Sequence, residues 1–449
     1  MKANTPICDF VREYAESGTV RLHMPGHKGE TLLGIERLDL TEIKGADSLF
    51  EAEGIIRQSE ETAGRLFGAH SFFSTEGSSL CIRAMVYLAL KQGAATGKAP
   101  VVWAGRNAHK TFLSAAALLG CEVRWLWDQR ESSYLSCRIS PEELEKMLGE
   151  ARELPSAVYV TSPDYLGNVA DIRGISEVCR RHGVLLAVDN AHGAYLKFLK
   201  NSQHPMDFGA HVCCDSAHKT LPALTGCAYL HLSYDCPSLI KDSVKDAMAL
   251  FGSTSPSYLL LQSLDALNGY LSEGYGERLE SFIRQVEDVK AELRSCGYLL
   301  CGDEPIKLTV APKSYGYSGE ELANALREKG FECEFADPDF TVMMLTPSLS
   351  AEVLCRLRDA LTSLPRRAPI TQQPPRILPP EKAMGIREAL MSVTERLPVR
   401  QAVGRVLAQT GVGCPPAVPI GVSGEIVSPQ MVEAFNYYGI GECTVVVKT

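Results

Sequence analysis

Five short apolar runs, rich in β-branched residues, recur through this chain with helix-like stretches between them: VVWAG from Val101, EVRWLW from Glu122, AVYVTS from Ala157, VLLAVDN from Val184 and CAYLHL from Cys227. A strand covered on both faces has no polar side to show, so such runs predict buried, mostly parallel strands. The segments between them carry helix signals. Ser140 stands at an N-cap position with Pro141 at N1 and Glu143 at N3, which predicts a helix to about Ala151. A second helix is predicted from Ile172 to Arg181, ended by His182 and Gly183 before the next strand. Strand and helix alternate, so the fold class is α/β with an open sheet.

The texture changes near Tyr270. Residues 276–294 have helical periodicity with alternating charge, after which strand-like runs (YLLC, KLTVAP, TVMMLTP) alternate with helices such as the one predicted over Ser318 to Lys329. A smaller α+β domain is predicted there. Residues 365–381 hold six prolines in seventeen positions, which excludes regular structure and marks a linker. The expected organisation is an arm over 1–40, a large domain over 41–270, a small α+β domain over 271–364, the linker, and a C-terminal unit over 382–449.

Composition narrows the partners. Lys plus Arg is 45 against 54 Asp plus Glu, a net charge of −9, so no global basic field exists to hold nucleic acid or an anionic membrane. A small-molecule partner is expected. Fifteen cysteines is an odd number scattered through a long chain, with Cys213 and Cys214 adjacent, which reads as reduced thiols. No C-x-x-C pair occurs, and the H-x-x-x-H of His23 and His27 encloses Pro25 and Gly26, which exclude the helix that zinc ligands need. No metal is expected. The N-terminus has charges where a signal peptide needs its apolar region, and no window approaches 18 uninterrupted apolar residues. The expected location is the cytoplasm.

The chemistry concentrates in a few short segments. Asp215-Ser216-Ala217-His218-Lys219-Thr220 follows an apolar VCC run, and Asp189-Asn190-Ala191-His192-Gly193 follows the run from Val184. Alone, Lys219 reads as a solvated loop lysine. Together with a carboxylate at the carboxyl end of a buried strand, where open α/β sheets bind ligands, it suits pyridoxal 5'-phosphate (PLP). Lys219 would form the Schiff base with the aldehyde, and Asp189 would keep the pyridine nitrogen protonated so that the ring acts as an electron sink. The phosphate calls for helix-terminal N–H groups and small hydroxyls, which Gly77, Ser78 and Ser79 offer before a strongly apolar helical run. Ser216 and His218 offer donors from the other side. His109 follows the VVWAG strand; alone it reads as a helix-initiating residue, and in the functional reading its ring lies over the pyridine face.

These motifs resemble the Orn/Lys/Arg decarboxylase family of fold type I PLP enzymes, in its short bacterial form. The resemblance covers nearly the whole chain: RLHMPGHKG from Arg21, GADSLFEAEGIIRQSEETAGRLFGA, FFSTEGSS, GRNAHKT, VYVTSPDYLGNVADI, AVDNAHGAY, DSAHKT, STSPSYLLLQSLD from Ser253, and CPPAVPIGVSGE near the C-terminus. It implies an aspartate-aminotransferase-like large domain with a mostly parallel sheet, followed by the smaller α+β domain. It implies Lys219, His109 and His218 as catalytic residues. Gly77, Ser78, Ser79, Asp189, Ala191, His192 and Ser216 would join them around PLP, with Thr254 or Ser255 reaching the cofactor of a partner subunit in a homodimer. Two positions depart from the family: Asn190 stands where Glu is usual, in D-E-A-H, and Phe50 stands where many members have His.

The implied reaction is decarboxylation of lysine, ornithine or arginine to the amine and carbon dioxide, as in polyamine biosynthesis. The pocket would select it by turning the bond from Cα to the carboxylate perpendicular to the ring plane, and Lys219 or His218 would return a proton to Cα. A basic substrate needs a carboxylate for its distal cation, and Glu425 in VSGE is the candidate, although alone it reads as a solvated glutamate. An aminotransferase or aldolase on the same fold remains open, because lysine, aspartate and a phosphate cup are common to all of them. A catalytically inactive homologue with a binding role also remains open, favoured by Asn190.

Overall fold

The computed structural model describes residues 3–128, 133–409 and 416–448. Cys414 and Pro415 of the CPPAVPIGVSGE motif lie outside them. The first strands in chain order are β1 (His70–Ser74), β2 (Ala99–Gly105), β3 (Glu122–Leu126), β4 (Pro155–Thr161), β5 (Leu185–Asp189), β6 (Val212–Asp215) and β7 (Ala228–Leu232). The helices among them are α1 (Pro6–Glu16), α2 (Ile55–Phe67), α3 (Gly77–Ala95), α4 (Lys110–Leu119), α5 (Pro141–Gly149), α6 (Ile172–Arg181) and the single turn α7 (Ala217–Thr220). The chain forms two compact units, one of Met1–Lys98 and Ile172–Glu280, the other of Ala99–Asp171 and Ser281–Thr449.

In the first unit the strands run β1, β7, β6, β5. The pair β5 and β6 is parallel, with Asp189 opposite Cys214, while β7 is antiparallel to both β6 and β1. Only twelve residues, a one-turn helix among them, separate the ends of this β6 to β7 return, too little for the crossover helix a parallel neighbour usually requires. The edge strand β1, sequence HSFFS, was not among the runs expected from sequence; it is short, with two polar ends and no continuous apolar run. Helix α3 packs against β5, β6 and β7 and buries Leu80, Ile82, Met85, Val86 and Leu88. Each such side chain contributes about 1.5–3 kcal/mol, which anchors the helix whose N-terminus faces the strand ends. Helix α1 is tied down by Asp265, whose carboxylate accepts the Ile7 and Cys8 N–H groups and the Ser59 hydroxyl.

In the second unit β4, β2 and β3 are neighbours in that order, all parallel. Helix α5 starts with the expected capping box between Ser140 and Glu143. The small α+β part holds β8 (Leu299–Cys301), β9 (Lys307–Ala311), β10 (Phe335–Ala336) and β11 (Thr341–Met344) in the antiparallel order β10, β11, β9, β8. A last sheet orders β12 (Thr394–Pro398), β14 (Glu442–Val446) and β13 (Leu407–Gln409). Residues 365–381 contain neither helix nor strand. The fourteen cysteines among the described residues are free thiols, and no described helix is long and apolar enough to cross a membrane.

The turn from β10 to β11 is expected to make stability depend on pH. Asp337, 5% exposed, accepts the Asp339 and Phe340 N–H groups on Oδ1, while its buried Oδ2 has no partner among the described residues. Burial pushes this carboxyl from the ordinary 3.8 up to about 7, against the two N–H groups that favour its anion. The folded state therefore holds a proton that the unfolded chain has released, and stability falls as pH rises from about 4 through 7. Asp337→Asn keeps the acceptor and removes the charge. It is expected to raise unfolding stability at pH 8 by up to about 4 kcal/mol, with little effect at pH 4, as checked by urea titration at both values.

Candidate active site

The first unit brings most of the expected residues to the carboxyl ends of β5 and β6. Asp189 ends β5, is 2% exposed, and accepts the Ala191 N–H at 3.2 Å and the Cys214 thiol at 3.6 Å on Oδ1. Burial pushes the Cys214 thiol well above its ordinary range, so it stays a donor to this carboxylate. Beside it, β6 ends at Asp215. Lys219 does not sit on the strand end itself but on the helical turn α7 that follows, which carries its amine to 2.9 Å from Nε2 of His192. The parallel register thus joins the D-N-A-H and D-S-A-H-K segments, whose first residues lie 26 positions apart in the chain.

A second group forms at the start of α3. Gly77 has φ +67°, a conformation that L side chains rarely adopt, and its N–H donates to the Gly226 carbonyl at 2.7 Å. A Cβ built there would meet nothing within 4 Å, so space lies open beside the helix terminus. No side chain caps α3, and the Ser78 and Ser216 hydroxyls lie 2.9 Å apart. Ser79 follows on the same first turn. Nδ1 of His218 donates to the Cys227 carbonyl at 2.9 Å, which sets its ring orientation. Ser253 donates its N–H to Glu76 just before α3, and Thr254 and Ser255 are exposed. Phe50 lies against Gly252 at the start of this segment, where a Cβ would clash with its ring.

An amine on a helical turn, a buried carboxylate on the next strand end, and an uncapped helix terminus with hydroxyls and open space form a matched donor set. They suit an aldehyde, a ring nitrogen that must stay protonated, and a phosphate. Both sequence departures are accommodated within the first unit. Asn190 donates its amide to Asp215 at 2.6 Å, and Phe50 is covered by its glycine.

His109 and Glu425 belong to the second unit. His109 is the N-cap of α4, as its local sequence suggests, and Nδ1 accepts the Thr111 N–H at 3.1 Å. Glu425 is not solvated: it is 4% exposed and pairs at 3.1 Å with Arg106, itself 7% exposed. Oε2 takes both that contact and the Val422 N–H at 2.7 Å, leaving Oε1, among the described residues, with a 3.5 Å approach from Arg106. Burial raises the Glu425 pKa, which the guanidinium and this N–H oppose. Arg106 also donates to the Pro419 and Ile420 carbonyls and stacks over Trp125 and Trp127. Glu425 lines a cavity of about 400 Å³ together with Trp125, Trp127, Ile386 and Met391.

Sequence reasoning missed three participants. Arg106 lies inside the GRNAHKT motif beside His109, and its pairing with a residue 319 positions later leaves no local signal. His204 and His231, which meet Asp215 beneath the strand ends, lie outside every motif.

A model described as Orn/Lys/Arg decarboxylase, major domain, matches residues 5–301. Similar proteins include the uncharacterized protein YaaO of Bacillus subtilis (strain 168), 28% identical over 96% of this chain and 94% of that protein. Arginine decarboxylase of the same organism is 30% identical over 95% of this chain and 92% of its own length. Among solved structures, the Francisella novicida lysine decarboxylase LdcF superposes with a TM-score of 0.79 at 17% identity, covering 98% of this chain and 79% of that one. The constitutive lysine decarboxylase of E. coli gives 0.75 at 17% identity, over 99% and 82%. At such identities the structural likeness is one of fold.

Proposed function

Because the chain belongs to the Orn/Lys/Arg decarboxylase family, and is thereby a PLP-dependent amino acid decarboxylase of fold type I, we propose that it acts on lysine, ornithine or arginine. Arginine is the first to test, since a relative spanning nearly the whole chain carries that name. The observation that carries the reading is the approach of Lys219, on the turn after β6, to His192, just past the buried Asp189 that ends β5.

In this proposal Lys219 holds the aldehyde carbon and Asp189 keeps the ring nitrogen protonated. Gly77, Ser78, Ser79, Ser216 and His218 hold the phosphate, Ala191 floors the ring and His109 covers it. When bound, PLP supplies the sink for the electron pair released as carbon dioxide leaves. The chain's own residues do the rest. His192, within hydrogen-bond reach of the Lys219 amine, can take its proton and keep it nucleophilic. Lys219 or His218 returns a proton to Cα. The protein acts in the cytoplasm as a homodimer, with the exposed Thr254 and Ser255 reaching the partner's cofactor.

Glu425 would receive the distal cation on Oε1, the oxygen Arg106 approaches less closely, because an unpaired buried cation costs several kcal/mol. The test is a screen of purified protein with basic and neutral amino acids for carbon dioxide and amine in equal amounts. Basic substrates are expected to turn over, and activity confined to neutral ones would sink the proposal. Glu425→Gln should raise KM for the basic substrate by at least about tenfold while leaving PLP affinity unchanged. An unchanged KM would remove Glu425 from the substrate site.

A further inference from the structure

Behind the site, Asp215 ends β6 at 0% exposure and gathers four donors, the most distant being the Cys213 thiol at 3.8 Å from Oδ1. Nε2 of His204 and of His231 lie 2.9 and 3.2 Å from Oδ2, and the Asn190 amide lies 2.6 Å from Oδ1. Nδ1 of His204 accepts the Met206 N–H at 3.3 Å, so its proton sits on Nε2 and points at Asp215. Burial lowers the pKa of His231, and its Nδ1 faces the Ser71 hydroxyl at 2.8 Å, which again leaves Nε2–H for the carboxylate. Burial alone would raise the Asp215 pKa; the two imidazoles and their hydrogen bonds outweigh it and hold the group below the usual carboxylate range. The three side chains are also a ligand set for a divalent cation. Their direct contacts, with protons between them, leave that ion no place.

The polarity of position 190 follows from this anion. Asn190 stands one step beyond the Asp189–Cys214 pair of the parallel ladder, its N–H on the Cys214 carbonyl at 3.0 Å and its amide on Asp215. Its Oδ1 is buried with no partner among the described residues, a cost of about 1–3 kcal/mol that the contact with Asp215 must offset. A carboxylate at 190 would face another carboxylate. We propose that Asp215 is a positioning residue: its buried charge requires a neutral donor at 190, and through Asn190 it holds together the strand ends that aim Asp189 and Ser216 into the cofactor site. The inference rests on the PLP site assigned above.

The test is a double-mutant cycle of Asn190→Asp and Asp215→Asn, which exchange charge without changing volume. The readouts are the PLP dissociation constant, from absorbance titration, and the melting temperature of the cofactor-free protein. In the wild-type background Asn190→Asp should weaken PLP binding by at least about tenfold, since it buries two carboxylates in contact. In the Asp215→Asn background the amide at 215 donates to the new carboxylate, and the loss should shrink to less than about threefold. Equal losses in both backgrounds would overturn the coupling. A loss of melting temperature with unchanged PLP binding would overturn the positioning role. Should Asn190→Asp alone not fold, a folded, PLP-binding double variant supports the proposal and an unfolded one overturns it. The melting temperatures need no cofactor, so the coupling can be judged even if peptide mapping shows that Lys219 is not the PLP lysine.

Discussion

Lys219→Ala is expected to lose decarboxylation by at least about 10⁴-fold, the upper end of what removing a positioned proton donor alone costs. In the proposed function the lysine would do two things, hold the cofactor and return a proton, and its loss would remove both. Its amine lies 2.9 Å from His192 Nε2 on a one-turn helix, a placement that restricts its reach to the space beside the ends of β5 and β6. Other lysines of the first unit are committed elsewhere: Lys197 pairs with Asp207 and Lys245 with Glu60. Borohydride reduction of the loaded protein followed by peptide mapping should therefore put the label on the peptide holding Lys219. A label on another lysine, or a Lys219→Ala protein with near-normal turnover, would overturn the assignment.

Asp189→Asn is expected to lower turnover by roughly 10²- to 10⁴-fold with the fold intact. Removing one partner of a buried charge pair costs about 3–5 kcal/mol, which converts to that range. Shape is preserved, because an amide oxygen can still accept the Ala191 N–H and the Cys214 thiol. What disappears is the negative charge that favours a protonated ring nitrogen. The melting temperature should stay near that of the wild type while kcat falls, and PLP should still bind through Lys219 and the α3 terminus. Near-normal turnover would mean that a different carboxylate faces the ring nitrogen.

Much of the site was legible because its chemistry is written in contiguous segments. Gly77-Ser78-Ser79, the segment around Asp189 and the segment around Lys219 each combine a strand or helix end with the residue types one cofactor needs. The departures at 190 and 50 were legible as departures only. Their explanation lies in Asp215 and in Gly252, and neither contact leaves a trace in local sequence. Glu425 shows the same limit. A glutamate after a glycine in a loop reads as solvated, and its burial against Arg106 arises from a pairing across more than three hundred residues.

The sequence by itself determined the α/β class, the capped helices, the family and the cofactor, because periodicity, capping and motif chemistry act over a few residues at a time. Tertiary structure alone decided that β7 runs antiparallel, that β1 closes the edge, and that Lys219 sits a turn beyond its strand. It alone set a buried anion at Asp215 between two histidines drawn from separate elements. The physical reason is that register and burial are properties of neighbouring strands. A side chain's charge, partner and reach depend on what the sheet places beside it, which residues near it in the chain do not specify.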